Sequence, residues 1–228
     1  MLKSPVQPRS VPATEASNAR SAILDAAEAV FSQSGYDGAS MRMIASEAGV
    51  AQALLHYHFH NKDRLFEAVF ERRSTAASGH RGQQLSELME REPNPSLESV
   101  LRVLFIPHQE SAEPGSILGG YFQLVAAIGV GSDARSKDLI ARYFDPIAHR
   151  FIQAFLQAVP GLTPEDAVWS YLFAIGSRMQ AQATNDRADR LCHALGIQKP
   201  EPFELLVPFV ASGIRSMVKP KAGTAGQT

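Results

Sequence analysis

The stretch "LLHYHFHNKD", Leu54 to Asp63, places histidine at alternate positions, His56, His58 and His60, with Tyr57 between the first two and Lys62 close behind. Two kinds of chemistry use such residues. Neutral imidazoles hold metal ions. Imidazoles, phenols and ammonium groups also donate to phosphate oxygens and base edges. The secondary structure that carries the stretch decides between them. On a helix, alternate residues point about 200° apart, so the three rings do not converge. Only His56 and His60, four apart, share a face, and His60 falls past the expected helix end. A helical zinc pair of the H-E-x-x-H kind brings a glutamate base and a third ligand; Tyr57 to Phe59 supply neither. Neither a metal nor a cofactor is expected. The bland reading is surface and capping histidines. The sharper one is that His56, Tyr57 and His58 face phosphates and base edges.

The surrounding elements must position these groups. Ile23, Ala26, Ala27, Val30 and Phe31 form one apolar helical stripe, with Ser17 or Asn18 as its cap and Gly35 at its left-handed stop. Ser40 caps a short helix whose inner face is Met41, Ile44, Ala45 and Ala48, and which ends at Gly49. A third helix starts around Ala51 and turns Leu55 and Phe59 inward. Asn61 caps a fourth, with Leu65, Phe66, Val69 and Phe70 inside and Asp63 in its first turn, where the helix dipole favours negative charge. Two short helices joined at Gly49-Val50 make a helix-turn-helix.

The chain has 228 residues, 45% hydrophobic and 20% charged, enough for a sizeable core. Its net charge of −1 excludes a general polyanion binder, so any nucleic-acid contact needs a local patch. One cysteine, Cys192, excludes an internal disulfide and fits a reducing compartment. Prolines and polar residues occupy the place of a signal core, and "ILGGYFQLVAAIGVG" is too short to span a membrane, so a cytoplasmic protein is expected. Apolar spacing is helical nearly throughout, and the expected fold class is all-α. The expected domains are a disordered arm (1–18), a helix-turn-helix domain (19–65), a second helical domain (66–219) and a loose tail (220–228). Longer helices are placed near 96–107, 116–130, 135–158, 164–184 and 201–218. Pro146 and Pro208 fall inside two of these, as kinks or as boundaries.

The residues "AILDAAEAVFSQSGYDGASMRMIASEAGVAQALLHYHFHNKDRLFEAV" resemble the DNA-binding domain of TetR-family (tetracycline-repressor-like) transcriptional regulators. The likeness covers about 21–70 and rests on "AA..VF...GY", "S...IA..AGV" and "LLHYHFHNKDRLF" in register. It implies that Gln52 to Phe59 is the reading helix. Gln52 and Ala53 would approach base edges, and His56, Tyr57 and His58 would contact groove and backbone. Lys62 would pair with a phosphate, and Ser40 and Arg42 would reach the backbone or an outer base. Leu54 stands where the family commonly has threonine or serine; it touches a thymine methyl or is turned into the core. His56 replaces a usual tyrosine and adds charge only when protonated. Arg20, Arg42 and Lys62 supply point charges, and Lys3 and Arg9 in the arm follow a groove or merely solubilise.

The resemblance also implies a second domain that dimerises through its last two long helices and binds an inducer. The expected interface is Trp169, Leu172, Phe173, Gly176, Met179, Leu206, Val210, Gly213, Ile214 and Met217, with intramolecular core as the alternative. Candidate effector contacts are Phe105, Tyr121, Phe122, Phe144, Phe151 and Phe173, with Tyr121, Gln123, His149 and Arg150 as polar anchors. The implied partners are a double-stranded, pseudo-palindromic DNA operator, a small-molecule effector and a second copy of the chain. An enzyme is not expected. Cys192 and His193 are the suggestive pair, but sequence neighbours diverge by about 100° on a helix, and no nucleophile elbow, phosphate loop or ligand set is present. A helical interaction protein that has lost DNA binding is the alternative function.

Overall fold

The computed structural model describes residues 13–105, 124–126, 128–183 and 186–218, with side chains from Asn18 onward. Every regular element among them is helical. The order is α1 (Ala13–Gly38), α2 (Met41–Glu47), α3 (Gln52–Phe59), α4 (Lys62–Arg91), α5 (Leu97–Phe105), α6 (Ala134–Tyr143), α7 (Asp145–Ala158), α8 (Pro164–Ala181), α9 (Arg187–Ala194) and α10 (Pro202–Ser216). Contacts divide the chain at Glu71/Arg72 into two compact units.

The N-terminal unit forms around aromatic rings. Ile23, Ala27 and Phe31 of α1, Ile44 of α2, Leu55 and Phe59 of α3, and Leu65, Phe66 and Phe70 of α4 are buried together. Phe31 meets Phe66 edge-on at 4.9 Å, and Tyr36 meets Phe66 likewise at 5.1 Å. Such T-shaped pairs match a positive ring edge to a negative face. α1 begins at Ala13, earlier than a cap at Ser17 or Asn18. The proline-free run from Ala13 to Ala16 offers nothing to stop it, so residues 13–18 are helix and not part of a disordered arm. Residues 1–12, with Lys3 and Arg9, lie outside the described residues, as does the tail from 219.

The C-terminal unit packs α8 against α7 and α10, α5 against α7 and α10, and α6 against α7. Its core includes Leu97, Leu101, Leu104, Phe151, Phe155 and Ala174. The single helix expected over 135–158 is two, α6 and α7, separated at Phe144. Pro146 is the cause: it has no N–H to give the carbonyl of Arg142, and it fits in the first turn of a new helix. Pro208, by contrast, sits inside α10 and faces outward. The sequence reading passed over α9, which has no buried residue. α4 runs unbroken through Gly79 and Gly82. Gly82 lets Arg150 approach, for a Cβ there would lie 2.7 Å from a guanidinium nitrogen that belongs to a group donating to the Gly82 carbonyl.

One ion pair ties α5 to α10. Both terminal nitrogens of Arg215 donate to the Glu98 carboxylate at 2.6 Å. These bonds hold Glu98 below its ordinary value of 4.5 and push Arg215 up. A carboxyl lowered on folding stabilises the fold above its ordinary pKa, and that contribution disappears as pH falls through the folded value. Denaturation curves of wild type and Glu98→Gln are therefore expected to separate above pH 4.5 and to converge below it. A constant gap across the acid range would remove the ion pair as the cause.

Candidate nucleic-acid interface

The helix-turn-helix is set by three local devices. Ser40 starts α2, its hydroxyl accepting from the Met43 N–H at 3.2 Å. Gly49 ends it at φ 65, a left-handed conformation that disfavours side chains. There the Val50 N–H reaches the Ala45 carbonyl at 3.0 Å and the Gly49 N–H reaches Ser46 at 3.2 Å, a Schellman closure. Asn61 starts α4, accepting from the Arg64 N–H at 2.9 Å. α3 is then pinned from within by Leu55 and Phe59, which are buried.

That anchoring turns one face of α3 outward. Gln52, Ala53, His56 and Tyr57 are exposed, Tyr57 at 76%, while Leu54 and His58 are half-buried. Arg42 and Met43 are exposed on α2 beside Ser40. Leu54 thus sits between its two sequence readings, part core and part surface. Arg20 lies over the Phe59 ring at 5.3 Å, a cation–π contact that also keeps a charge near α3.

Lys62 has more structural work than the sequence implied. Its ammonium donates to the carbonyls of Tyr36 at 2.9 Å and Ala39 at 3.0 Å, and lies 4.2 Å from the Tyr36 ring centre. Two of its three donors are thereby used, leaving one for a phosphate oxygen. The Tyr36 hydroxyl in turn donates to Asp63 at 2.6 Å.

The histidines answer to the backbone. His60, after α3, has φ 63 and ψ −55, and Asn61 N–H closes a γ-turn onto the Phe59 carbonyl at 2.6 Å. The His56 Nδ1 lies 2.9 Å from the His60 carbonyl oxygen, and its Nε2 lies 3.4 Å from the Gln52 amide nitrogen. Among the described residues no group of three or more His, Cys, Asp or Glu side chains is placed to hold a metal ion.

The C-terminal unit rearranges the other expectations. On α8, Trp169 (55%), Leu172, Phe173 (59%) and Gly176 lie outside, and the Trp169 and Phe173 rings meet at a tilt of 35°, 5.5 Å between centres. On α10 the expected set divides between core, its alternative reading, and surface. Leu206, Val210 and Ile214 are core, and Leu205, Phe209 (72%) and Gly213 face out. Met179 and Met217 are half-buried, the latter's sulfur accepting from the Ser170 hydroxyl at 3.3 Å. Phe173 points to solvent and so is not an interior effector contact. Phe105 and Phe151 belong to the core cluster, Phe144 is half-buried, and Tyr121, Phe122 and Gln123 lie outside the described residues. His149 is exposed, and Arg150 bonds Gly82 and Ser86.

Sequence reasoning missed Leu205, Phe209 and the polar interior. Arg81, Arg178, Ser170 and Tyr171 are buried in this unit. Burial pushes the Tyr171 phenol up to about 12 against the pull of both guanidinium groups, so it stays neutral. Arg178, the single cation of α8, was the available signal; α4 carries many charges besides Arg81, so that residue gave none.

Two substitutions separate scaffold from surface. Lys62→Met is expected to lower the unfolding free energy by about 1–3 kcal/mol, because it orphans two carbonyls. Tyr57→Ala is expected to stay within about 0.5 kcal/mol of wild type. Urea denaturation followed by circular dichroism checks both; a silent Lys62→Met would show that the ammonium does not hold the α1–α2 turn.

Comparison with known proteins agrees with this geometry. Residues 23–69 match the model described as "Bacterial regulatory proteins, tetR family", and 102–213 match "Tetracyclin repressor-like, C-terminal domain". The head is 38% identical over 56 residues to the HTH-type transcriptional regulator UidR of Escherichia coli K12, a match covering 25% of this chain and 29% of that protein. It is 40% identical over 57 residues to AcrR of Shigella flexneri, covering 25% and 26%. Among solved structures, a Rhodococcus transcriptional regulator superposes with a TM-score of 0.58 at 20% identity, covering 88% of this chain and 99% of that one. FadR of Bacillus subtilis, in complex with stearoyl-CoA, gives 0.56 at 17% identity, covering 87% and 99%. No helix among the described residues is long and apolar enough to cross a membrane. With its helix-turn-helix head and second helical domain both matched, the chain belongs to the TetR family of DNA-binding transcriptional regulators.

Proposed function

We propose that this regulator works as a cytoplasmic homodimer that represses transcription from a pseudo-palindromic operator and is released by a small-molecule effector. The observation that carries the reading is the apolar stripe left outside on α8 and α10: Trp169, Leu172, Phe173, Leu205 and Phe209. Exposed apolar residues in a contiguous patch mark an association surface. Gly176 and Gly213 support it. Each sits inside a helix, where glycine costs about 1 kcal/mol relative to alanine, and a Cβ at either would meet nothing within 4 Å in the chain itself. The need for a small residue is met by a second chain.

One head offers α3 to one major groove. Two heads on a two-fold axis offer it twice, about one helical turn apart, which is what a pseudo-palindrome matches. Gln52, Ala53 and Tyr57 supply base-edge and groove contacts, with the His56 ring beside the Gln52 amide; Ser40, Arg42 and His58 add backbone and groove contacts, and the remaining Lys62 N–H adds a phosphate contact. The effector acts by binding more tightly to a state whose heads do not fit adjacent grooves, and it shifts the population by no more than that difference in affinity. Its pocket belongs to the C-terminal unit, where Phe151, Tyr171, Arg81 and Arg178 provide apolar walls and polar groups.

Trp169 reports on dimerisation because it is the single tryptophan of the chain. Its emission is expected to shift to shorter wavelength as concentration is raised through the dissociation range. Phe209→Glu is expected to be monomeric by sedimentation, with red-shifted emission and loss of operator binding. Full-length protein is expected to retard its own promoter DNA, less so as salt is raised, since each neutralised phosphate releases counterions. Tyr57→Ala is expected to weaken that binding. A protein that dimerises but binds no DNA under any of these conditions would be an interaction protein and not a repressor.

A further inference from the structure

We propose that His56 is a positioning residue that sets the base preference of Gln52, so that the pair reads adenine at one position of each half-site. This rests on α3 being the reading helix. The His60 carbonyl oxygen only accepts, and His56 Nδ1 lies 2.9 Å from it, so Nδ1 carries the proton. In the neutral ring Nε2 then holds a lone pair and only accepts. The group 3.4 Å from it is the amide nitrogen of Gln52, a donor. The imidazole therefore selects one of the two orientations of the amide. The flipped form would set two lone pairs against each other.

One Gln52 N–H is engaged by the ring. The second N–H and the oxygen are left for the groove, side by side. An N–H beside a carbonyl complements the major-groove edge of adenine, where N7 accepts and N6–H donates. Guanine presents two acceptors there and opposes its O6 to the amide oxygen.

The brace is fixed from behind. His60 holds φ 63, and its γ-turn is closed by the Asn61 N–H on the Phe59 carbonyl at 2.6 Å. The Asn61 side chain is itself tied to α4 through the Arg64 N–H at 2.9 Å. The carbonyl that orients His56 is thus part of the junction between α3 and α4 and is no adjustable surface group. A base preference at the start of α3 is set by the turn at its end.

The test is selection from a random duplex pool by the full-length protein, sequenced for wild type, Gln52→Ala, His56→Phe and His56→Ala. Wild type is expected to favour adenine over guanine by about tenfold at one position per half-site, a factor within the range of a good bidentate pair. Gln52→Ala loses that preference and keeps the rest of the motif. Both His56 variants keep the motif but bring adenine and guanine to within about twofold at that position, because the amide turns freely. Two different replacements keep the result from depending on how one of them folds. A purely structural His56 would weaken selection at every position alike and would overturn the proposal. So would an adenine preference that survives in both His56 variants, or a Gln52-dependent position that is not adenine. If wild type enriches no sequence, the DNA-reading function fails and this inference with it; a motif without the Gln52-dependent adenine removes the inference alone.

Discussion

The ammonium of Lys62 is the contact on which the reading head depends. It satisfies two carbonyls, of Tyr36 and Ala39, in the segment where α1 gives way to α2. Those carbonyls belong to a chain reversal, where helical partners are absent. The same charge lies against the Tyr36 ring, and Tyr36 packs edge-on against Phe66 and donates to Asp63. One residue thus joins the end of α1 to the start of α4. The direction in which α2 and α3 leave is then settled by Ser40 and Gly49. A charge that family resemblance assigns to DNA is in this chain also an internal cross-link.

The devices that the sequence made legible are the ones that act over a few residues. Ser40, Gly49 and Asn61 were read correctly as start, stop and start, because capping needs a donor or acceptor within three residues or a residue tolerant of positive φ. Leu55 and Phe59 were legible as the inner face of α3 through their i, i+4 spacing. The Lys62–Tyr36 contact was not, since 26 residues separate its partners and no periodicity links them. The His56–His60 contact escaped for another reason. The spacing is visible in the sequence, but a side chain bonding to a main-chain oxygen leaves no mark on residue type.

The C-terminal unit shows where periodicity runs out. α10 carries Phe203, Leu205, Leu206, Val207, Phe209 and Val210, so it is apolar on nearly every side. Such a helix has two defensible stripes, and the choice between Leu206-Val210-Ile214 and Leu205-Phe209-Gly213 is made by what packs against it: α5 and α8. The break at Phe144 was visible only as a proline whose effect had two outcomes. α9 offered few apolar residues, and the ones it has, Leu191 among them, are not buried in the chain.

The anchoring of α3 by Leu55 and Phe59 has an evolutionary consequence. The residues that hold the helix and those it leaves exposed lie on opposite sides of one short element. Exchanges at Gln52, Ala53 or Tyr57 leave the packed side untouched and cost little in folding free energy. A duplicated gene is therefore able to drift to a new operator without passing through an unfolded intermediate. His56 is the exception, because its ring is tied to the turn behind it. Divergence is expected to be quick at the outward positions and slow there, with changes at His56 arriving together with changes at the turn.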